Sequence, residues 1–205
     1  MGYGLGLRLA KAGHHIVIGS RNKERAEEAA EKAAALTGGQ VEGLENAGAV
    51  QGAELVVLSV PASAHRATVE SLREVLADKP VLDITVPFAF RPLRYTPPEE
   101  GSNAQETAAI LGEGCRVAAG FHTISATLLV ELEAEIGANA FVAGNDGELK
   151  ETLIGLGREI GVTVYDAGPL SLACALESQT PMLLSMNKRY GSKHIGLVLT
   201  GLPGQ

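Results

Sequence analysis

The stretch 15–21 joins a short apolar run to an abruptly polar end. The apolar residues 16–18 are followed by Gly19, Ser20 and Arg21, and a charged, alanine-rich helical pattern begins within two residues. A short β-branched run bounded in this way is typical of a buried strand that ends in a turn. A strand followed directly by a helix is the unit from which α/β folds are built, so we look for further units of this kind along the chain.

The same alternation of strand and helix continues along the chain. Apolar patterns predict strands near 15–19, 40–44, 54–61, 80–86, 116–120, 139–143 and 163–165. Helical patterns lie near 1–13, 22–36, 46–52, 63–77, 102–111, 127–135, 145–160 and 170–187, with Pro181 expected to bend the last helix. Residues 87–101 are predicted to be irregular. This order predicts an α/β fold, a Rossmann-like, doubly wound and mostly parallel sheet with a small C-terminal helical extension. We expect a single domain over 1–205, with 166–205 as the extension.

Composition excludes several classes of protein. The chain has 205 residues, 45% of them hydrophobic, and a net charge of -7, which supports a globular core and argues against a nucleic-acid partner. Cys115 and Cys174 lie far apart without a metal-binding spacing, so neither a disulfide nor a metal site is expected. No membrane span or signal peptide is recognisable, and we expect a cytoplasmic location.

The end of the strand at 15–19 predicts which nucleotide binds. In dinucleotide-binding units, an acidic residue at this position accepts hydrogen bonds from a free ribose 2′-hydroxyl, whereas a basic residue favours a 2′-phosphate. Here Ser20 and Arg21 occupy the strand end, and Arg25 follows one helical turn later. This arrangement favours NADP over NAD, although a solvated helix start with a chance excess of Lys and Arg would look the same.

The first strand and the glycine-rich turn of such a unit do not precede the helix at 1–13. Gly2 can serve as the last glycine of the G-x-G-x-x-G fingerprint, but the two earlier glycines would lie upstream of Met1. We therefore expect an N-terminally truncated unit, and a functional protein that carries about a dozen more N-terminal residues. The genomic DNA upstream of Met1 tests this expectation.

The other strand ends are neutral and mostly apolar. Ser59, Val60 and Pro61 follow one predicted strand, and His122 and Thr123 follow another. Ends of this kind suit a flat ring held by backbone groups, and no catalytic acid, base or metal-ligand spacing is present. A histidine at a strand end is as readily structural as ligand-binding, so His122 has two interpretations. His65 is predicted to be exposed or to cap a helix, and contact with a ligand is the alternative.

Several segments together resemble one family. They are 4–21, Ser59-Val60-Pro61, Phe121-His122-Thr123-Ile124, Asp166-Ala167-Gly168-Pro169-Leu170 and Leu176-Glu177-Ser178-Gln179-Thr180-Pro181. In this order they are similar to the F420H2:NADP oxidoreductases over nearly the whole chain. The resemblance implies direct hydride transfer between NADP(H) and the deazaflavin of coenzyme F420, without a catalytic residue of the protein.

The resemblance also implies roles for individual residues. Ser20, Arg21 and Arg25 would hold the 2′-phosphate, and Arg25 replaces the lysine expected at its position. Val60 and Pro61 would line the dinucleotide. The residues implied to pack on the deazaflavin are Val86, Ile124, Ala126 and Ile195. With Gly2, Ser59, His122 and Thr123 at the strand and helix ends, these form the predicted cofactor-binding set.

Two other functions fit the same nucleotide-binding half. One is an NADP-dependent reductase of another small substrate or of a metal chelate. The other is a truncated protein that binds NADPH weakly or serves in assembly without activity. The apolar residues of 170–187 also make a homodimer contact plausible, although packing within one chain explains them equally well.

Overall fold

A computed structural model describes residues 1–202 of the chain. The helices are α1 (Gly2–Lys11), α2 (Lys23–Thr37), α3 (Asn46–Gly52), α4 (His65–Leu76), α5 (Asn103–Leu111), α6 (Ala126–Val130), α7 (Gly147–Glu159), α8 (Ala173–Glu177) and α9 (Gln179–Tyr190). The strands are β1 (Ile16–Ser20), β2 (Val41–Glu45), β3 (Val56–Leu58), β4 (Pro80–Asp83), β5 (Phe88–Phe90), β6 (Leu93–Tyr95), β7 (Arg116–Gly120), β8 (Ala140–Gly144) and β9 (Val164–Gly168). Short 3₁₀ turns at Ala62–Ala64 and Leu170–Leu172 precede α4 and α8.

The larger sheet has the strand order β3-β4-β7-β8-β9. Neighbouring strands in this sheet are parallel, except that β7 and β8 run antiparallel to each other. Strands β1 and β2 form a separate parallel pair, and β5 and β6 form an antiparallel hairpin. The mixed but mostly parallel arrangement, with helices between successive strands, confirms the predicted Rossmann-like α/β class.

Alternate residues of the central strands pack into two separate hydrophobic clusters. Leu82 and Val142 belong to one cluster, whereas Val81 and Val117 belong to the other, and all are at most 3% exposed. Because successive side chains of a strand point to opposite faces, the larger sheet is covered on both sides. The continuous apolar runs in the sequence reflect this double burial.

Strand β1 has the predicted length but spans Ile16–Ser20, one residue later than the predicted 15–19. It runs in register with β2, from Ile16 beside Val41 to Ser20 beside Glu45. Within residues 1–202, β1 pairs with β2 alone and β3 pairs with β4 alone, so the two sheets share no hydrogen-bonded strand. The expectation of a further strand and a glycine-rich turn upstream of Met1 stays a prediction.

Two predicted segments are wrong in detail. Residues 87–101 contain the β5–β6 hairpin, which closes through a cis peptide bond between Arg91 and Pro92. The helix expected over 170–187 is divided into a 3₁₀ turn, α8 and α9, and Pro181 lies in the first turn of α9 rather than at a bend. Proline is well tolerated there because the first helical N–H groups have no intrahelical partner.

Candidate functional site

The end of β1 presents a cationic surface with two free guanidinium groups. Arg21 and Arg25 are exposed, and neither side chain forms a hydrogen bond or ion pair with residues 1–202, whereas nearby Lys23 pairs with Glu27 at 3.4 Å. Asn22 caps α2 by accepting a hydrogen bond from the Arg25 backbone N–H at 2.8 Å. Two unpaired cations at a helix N-terminus, where the helix dipole also favours anions, fit a phosphate group.

The side chain of Ser20 reinforces this turn. Its Oγ accepts a hydrogen bond from the Asn22 backbone N–H at 3.1 Å, and the hydroxyl proton is left to donate elsewhere. The sequence predicts that Ser20, Arg21 and Arg25 act together, and the structure places them on one short strand–helix connection. Their geometry fits the 2′-phosphate that the basic strand end predicts.

Gly2 lies directly against the residue that follows β3. A side-chain carbon at Gly2 would overlap the Ser59 hydroxyl, and Ile84 is the next nearest group at 3.9 Å. Any larger residue at position 2 would therefore displace the turn after β3. The structure thus brings together Gly2 and Ser59, two predicted site residues that are far apart in sequence.

The remaining predicted positions share one edge of the larger sheet. Strands β3, β4 and β7 are adjacent and parallel, with Leu58 beside Asp83 and Asp83 beside Ala119. The segments that follow them hold Ser59, Val60 and Pro61, then Val86, then His122, Thr123 and Ile124. Ligands of open α/β sheets bind at such carboxyl ends, so this edge is the candidate site.

These residues differ in how far they can reach a ligand. Val86 and Val60 are partly exposed, Pro61 and Ser59 are exposed, and Ile124 is 3% exposed and packs in the core. The Thr123 hydroxyl donates a hydrogen bond to the Asn139 carbonyl at 2.6 Å. The side chains of Thr123 and Ile124 therefore support the backbone of this edge from the core.

The C-terminal segment covers one side of this edge. The Ser125 hydroxyl donates a hydrogen bond to the Lys193 carbonyl at 2.9 Å, and the Ile195 N–H donates to Asn187 Oδ1 at 3.0 Å. Ile195 is partly exposed and Ala126 is exposed. These contacts place Ala126 and Ile195 on neighbouring segments, although 69 positions separate them in the sequence.

His122 is buried without a partner for its ring. It is 5% exposed, and neither ring nitrogen forms a hydrogen bond within the described residues. Burial lowers the pKa of His122 to about 4, and the nearby charge of Asp83 only partly opposes this effect. A neutral imidazole offers one donor and one acceptor, which fits a bound heterocycle with carbonyl and ring-nitrogen groups.

A buried polar cluster beneath this edge was not predicted. The prediction that His65 is exposed is wrong, since it is 1% exposed, although it does cap the 3₁₀ turn Ala62–Ala64 at its C-terminal end. Its ring lies between two carboxylates, with Nε2 at 2.8 Å from Asp83 and Nδ1 at 2.8 Å from Glu106. Burial alone would lower the pKa of His65, but the hydrogen bonds and charges of Asp83 and Glu106 outweigh it and raise that pKa.

Glu177 forms a second buried group on the same side. It is 0% exposed, and it accepts hydrogen bonds from the backbone N–H groups of Asn103 and Ala104 and from the Tyr95 hydroxyl. Burial raises the pKa of Glu177 to about 7 against the opposing effect of these hydrogen bonds. Through these contacts it joins the start of α5 to the β5–β6 hairpin.

Comparison with known proteins relates the chain to F420-dependent NADP reductases along its whole length. Residues 1–87 match the family model described as NADP oxidoreductase, coenzyme F420-dependent. The F420-dependent NADP reductase of Methanothermobacter thermautotrophicus is 38% identical over 100% of this chain and 92% of its own length. That of Methanocaldococcus jannaschii is 37% identical over 98% of this chain and 94% of its own length.

A solved structure shows the same fold. The putative F420-dependent NADP reductase of Arthrobacter sp. FB24 superposes with a TM-score of 0.83, at 24% identity, over 98% of this chain and 94% of that one. The arrangement of strands and helices described above is therefore shared along almost the whole of both chains.

Proposed function

Because the chain belongs to the family of F420-dependent NADP reductases, we propose that it transfers a hydride between NADP(H) and coenzyme F420. The observation in the structure that carries this proposal is the pair of unpaired guanidinium groups, Arg21 and Arg25, at the end of β1. They provide the charge that a 2′-phosphate requires, at the strand end where such units hold the adenine ribose.

When both ligands are bound, NADPH supplies a hydride, and oxidised F420 takes up that hydride and a solvent proton, leaving NADP⁺ and reduced F420. The residues of the chain bind and orient the two rings. The predicted edge has no exposed acid or base among Ser59–Pro61, Val86 and 122–124. The rate then depends on ring proximity and the exclusion of water.

We assign the predicted residues to parts of the site. Ser20, Arg21 and Arg25 hold the 2′-phosphate, and Gly2 and Ser59 support the turn along which Val60 and Pro61 line the dinucleotide. Val86, Ala126 and Ile195 contact the deazaflavin. Thr123 and Ile124 support this edge from the core, and His122 is buried beneath it without a hydrogen-bond partner for its ring nitrogens.

An absorbance experiment tests the proposed activity. We expect oxidised F420 to lose its visible absorption when NADPH and the protein are added together, and to keep it when either one is left out. A protein that binds NADPH in calorimetry but does not bleach F420 would instead be a reductase of another small substrate or metal chelate. A protein that binds neither NADPH nor F420 would support an assembly role.

A homodimer is a separate proposal that rests on α9. Met182, Leu184 and Tyr190 on this helix are 46%, 37% and 69% exposed. Exposed apolar side chains on one helix are typical of a contact between copies. We expect sedimentation to give twice the chain mass, and Met182→Glu to give the monomer mass with an unchanged circular dichroism spectrum. A monomeric wild-type protein would contradict this proposal.

The remaining predictions concern domain organisation, cellular location and the class of ligand. No helix within residues 1–202 is long and apolar enough to cross a membrane. We propose one domain over 1–205, with 166–205 as an extension beside the deazaflavin, a cytoplasmic location and small-molecule ligands only. Cell fractionation and a nucleic-acid binding assay check the last two of these predictions.

A further inference from the structure

The side chain of Asp83 fixes the backbone turn that carries Val86 to the edge of the sheet. Asp83 Oδ1 accepts hydrogen bonds from the Thr85 N–H at 3.0 Å and from the Thr85 hydroxyl at 2.6 Å. The Asn103 amide donates to the same Thr85 hydroxyl at 2.7 Å. Thr85 is thereby held on both its backbone and side chain, one residue before Val86.

The other carboxylate oxygen of Asp83 is held by α4 and α5. Asp83 Oδ2 lies 2.8 Å from His65 Nε2 and accepts a hydrogen bond from the Thr107 hydroxyl at 2.8 Å. Asp83 is 0% exposed and Thr107 is 0% exposed, so no solvent competes for these contacts. The orientation of Asp83, and with it the turn at Thr85, depends on the partner on the other side, His65.

Both ring nitrogens of His65 face buried carboxylates, and the Thr107 hydroxyl also lies 3.0 Å from Nε2. Nε2 faces Asp83 and Nδ1 faces Glu106, each at 2.8 Å, and Arg66 binds the other oxygen of Glu106 at 2.8 Å. A neutral ring donates from one nitrogen only, which would leave a lone pair against a buried carboxylate. A protonated ring satisfies both contacts and balances the charge of Asp83.

We propose that His65 is a positioning residue for the deazaflavin. As an imidazolium, His65 holds Asp83 in place, and Asp83 fixes the shape of the Thr85–Val86 turn against which the deazaflavin ring packs. This inference rests on the proposed function for the identity of the ligand. It does not place His65 in contact with either cofactor. Nothing in the sequence around His65 indicates this role, because its partners lie 18 and 41 residues away.

Calorimetry on the full chain tests this role. His65→Gln should weaken the binding of oxidised F420 about tenfold, since small displacements at a ring-packing surface have effects of this order. Binding of NADP⁺, which depends on Arg21 and Arg25, should change less than about twofold by the same reasoning. Arg73→Gln is the matched control, because Arg73 is an exposed cation on the same helix.

Nuclear magnetic resonance provides two readouts that do not depend on activity, and the first of them uses wild-type protein alone. In wild-type protein with ¹⁵N-labelled histidine, both ring nitrogens of His65 should carry protons at pH 7, and a neutral ring would overturn the inference. The methyl resonances of Val86 should shift in His65→Gln and stay in place in Arg73→Gln. An unshifted Val86, or equal F420 binding by wild type and His65→Gln, would also overturn it.

The two proposals fail in different ways. If wild-type protein does not bind F420 at all, the proposed function is wrong, and the positioning role is then decided by the protonation of His65 and the Val86 resonances. If wild-type protein binds and reduces F420 but His65→Gln does so equally well, the function stands and the positioning role is wrong.

Discussion

Replacing Arg21 with glutamate should raise the KM for NADPH about 100-fold and change the KM for NADH less than about threefold. The change removes a charge-assisted hydrogen bond to the 2′-phosphate and places a carboxylate beside it, and both effects are absent with NADH. Within residues 1–202, Arg21 has no partner of its own, so the substitution breaks no contact of the protein itself. The measurement is steady-state kinetics with each nucleotide at fixed F420.

A control variant separates this local effect from net charge. Lys32→Glu makes the same change in charge on the exposed side of the same helix, α2, away from its N-terminus. It should leave both KM values nearly unchanged at physiological ionic strength, where charges more than about 8 Å apart are largely screened. An equal loss of NADPH and NADH affinity in Arg21→Glu would remove the specificity argument for the end of β1.

The strand end at Ser20 and the helix that follows it could be predicted because their signals are local. The apolar run 16–18, the residues Ser20 and Arg21 and the helix that begins at Lys23 follow each other within a few positions. Strand and helix periodicities likewise identify β7 and α5 within one residue, whereas the strand predicted over 80–86 ends three residues earlier, at Asp83. The edge that carries Val86 and His122 follows from the parallel order of these strands.

The buried polar groups could not be predicted because their partners are distant in sequence. Whether a histidine or glutamate is buried depends on which helix packs beside it in the folded protein. The apolar periodicity of α4 carries no information about where Asp83 or Glu106 will lie. Glu177 is similar, since it lies in an apolar stretch that predicts a continuous helix. Its contacts with Asn103 and Tyr95 span 74 and 82 positions.

The carboxyl group of Glu177 should make the stability of the protein depend on pH between about 4.5 and 7. Its pKa in the folded chain is about 7, above the ordinary value of 4.5, chiefly because the group is buried. The folded state therefore retains a proton that the unfolded state releases in this range. The contribution to stability is fully present below pH 4.5 and is lost as the pH rises to 7, by about 3 kcal/mol.

The hydrogen bonds around Glu177 favour its ionised form, so burial and the nearby charge of Asp83 raise its pKa against them. The Tyr95 hydroxyl lies 2.9 Å from Glu177 and 3.1 Å from the Gly101 carbonyl, and its single proton serves only one of these acceptors. Tyr95 donates to Glu177 when the carboxyl group is ionised; a protonated Glu177 would instead donate to Tyr95, which would then donate to Gly101. Burial and the adjacent charge of Glu177 raise the pKa of Tyr95, so the phenol keeps its proton throughout. Asp83 and Cys174 are the other titratable groups near this pair.

Glu177→Gln should remove this part of the pH dependence. Glutamine keeps the shape and donates to Tyr95, but its NH₂ group cannot accept from the Asn103 N–H, at a cost of about 1 kcal/mol at every pH. The free energy of unfolding, measured with urea at pH 4.5 and 7.5, should therefore fall about 3 kcal/mol less for the variant than for wild type. Glu31→Gln, an exposed change on α2, should follow wild type. A variant that keeps the full wild-type slope would show that Glu177 is ionised in the folded protein across this range, with the α5 amides and Tyr95 stabilising its charge.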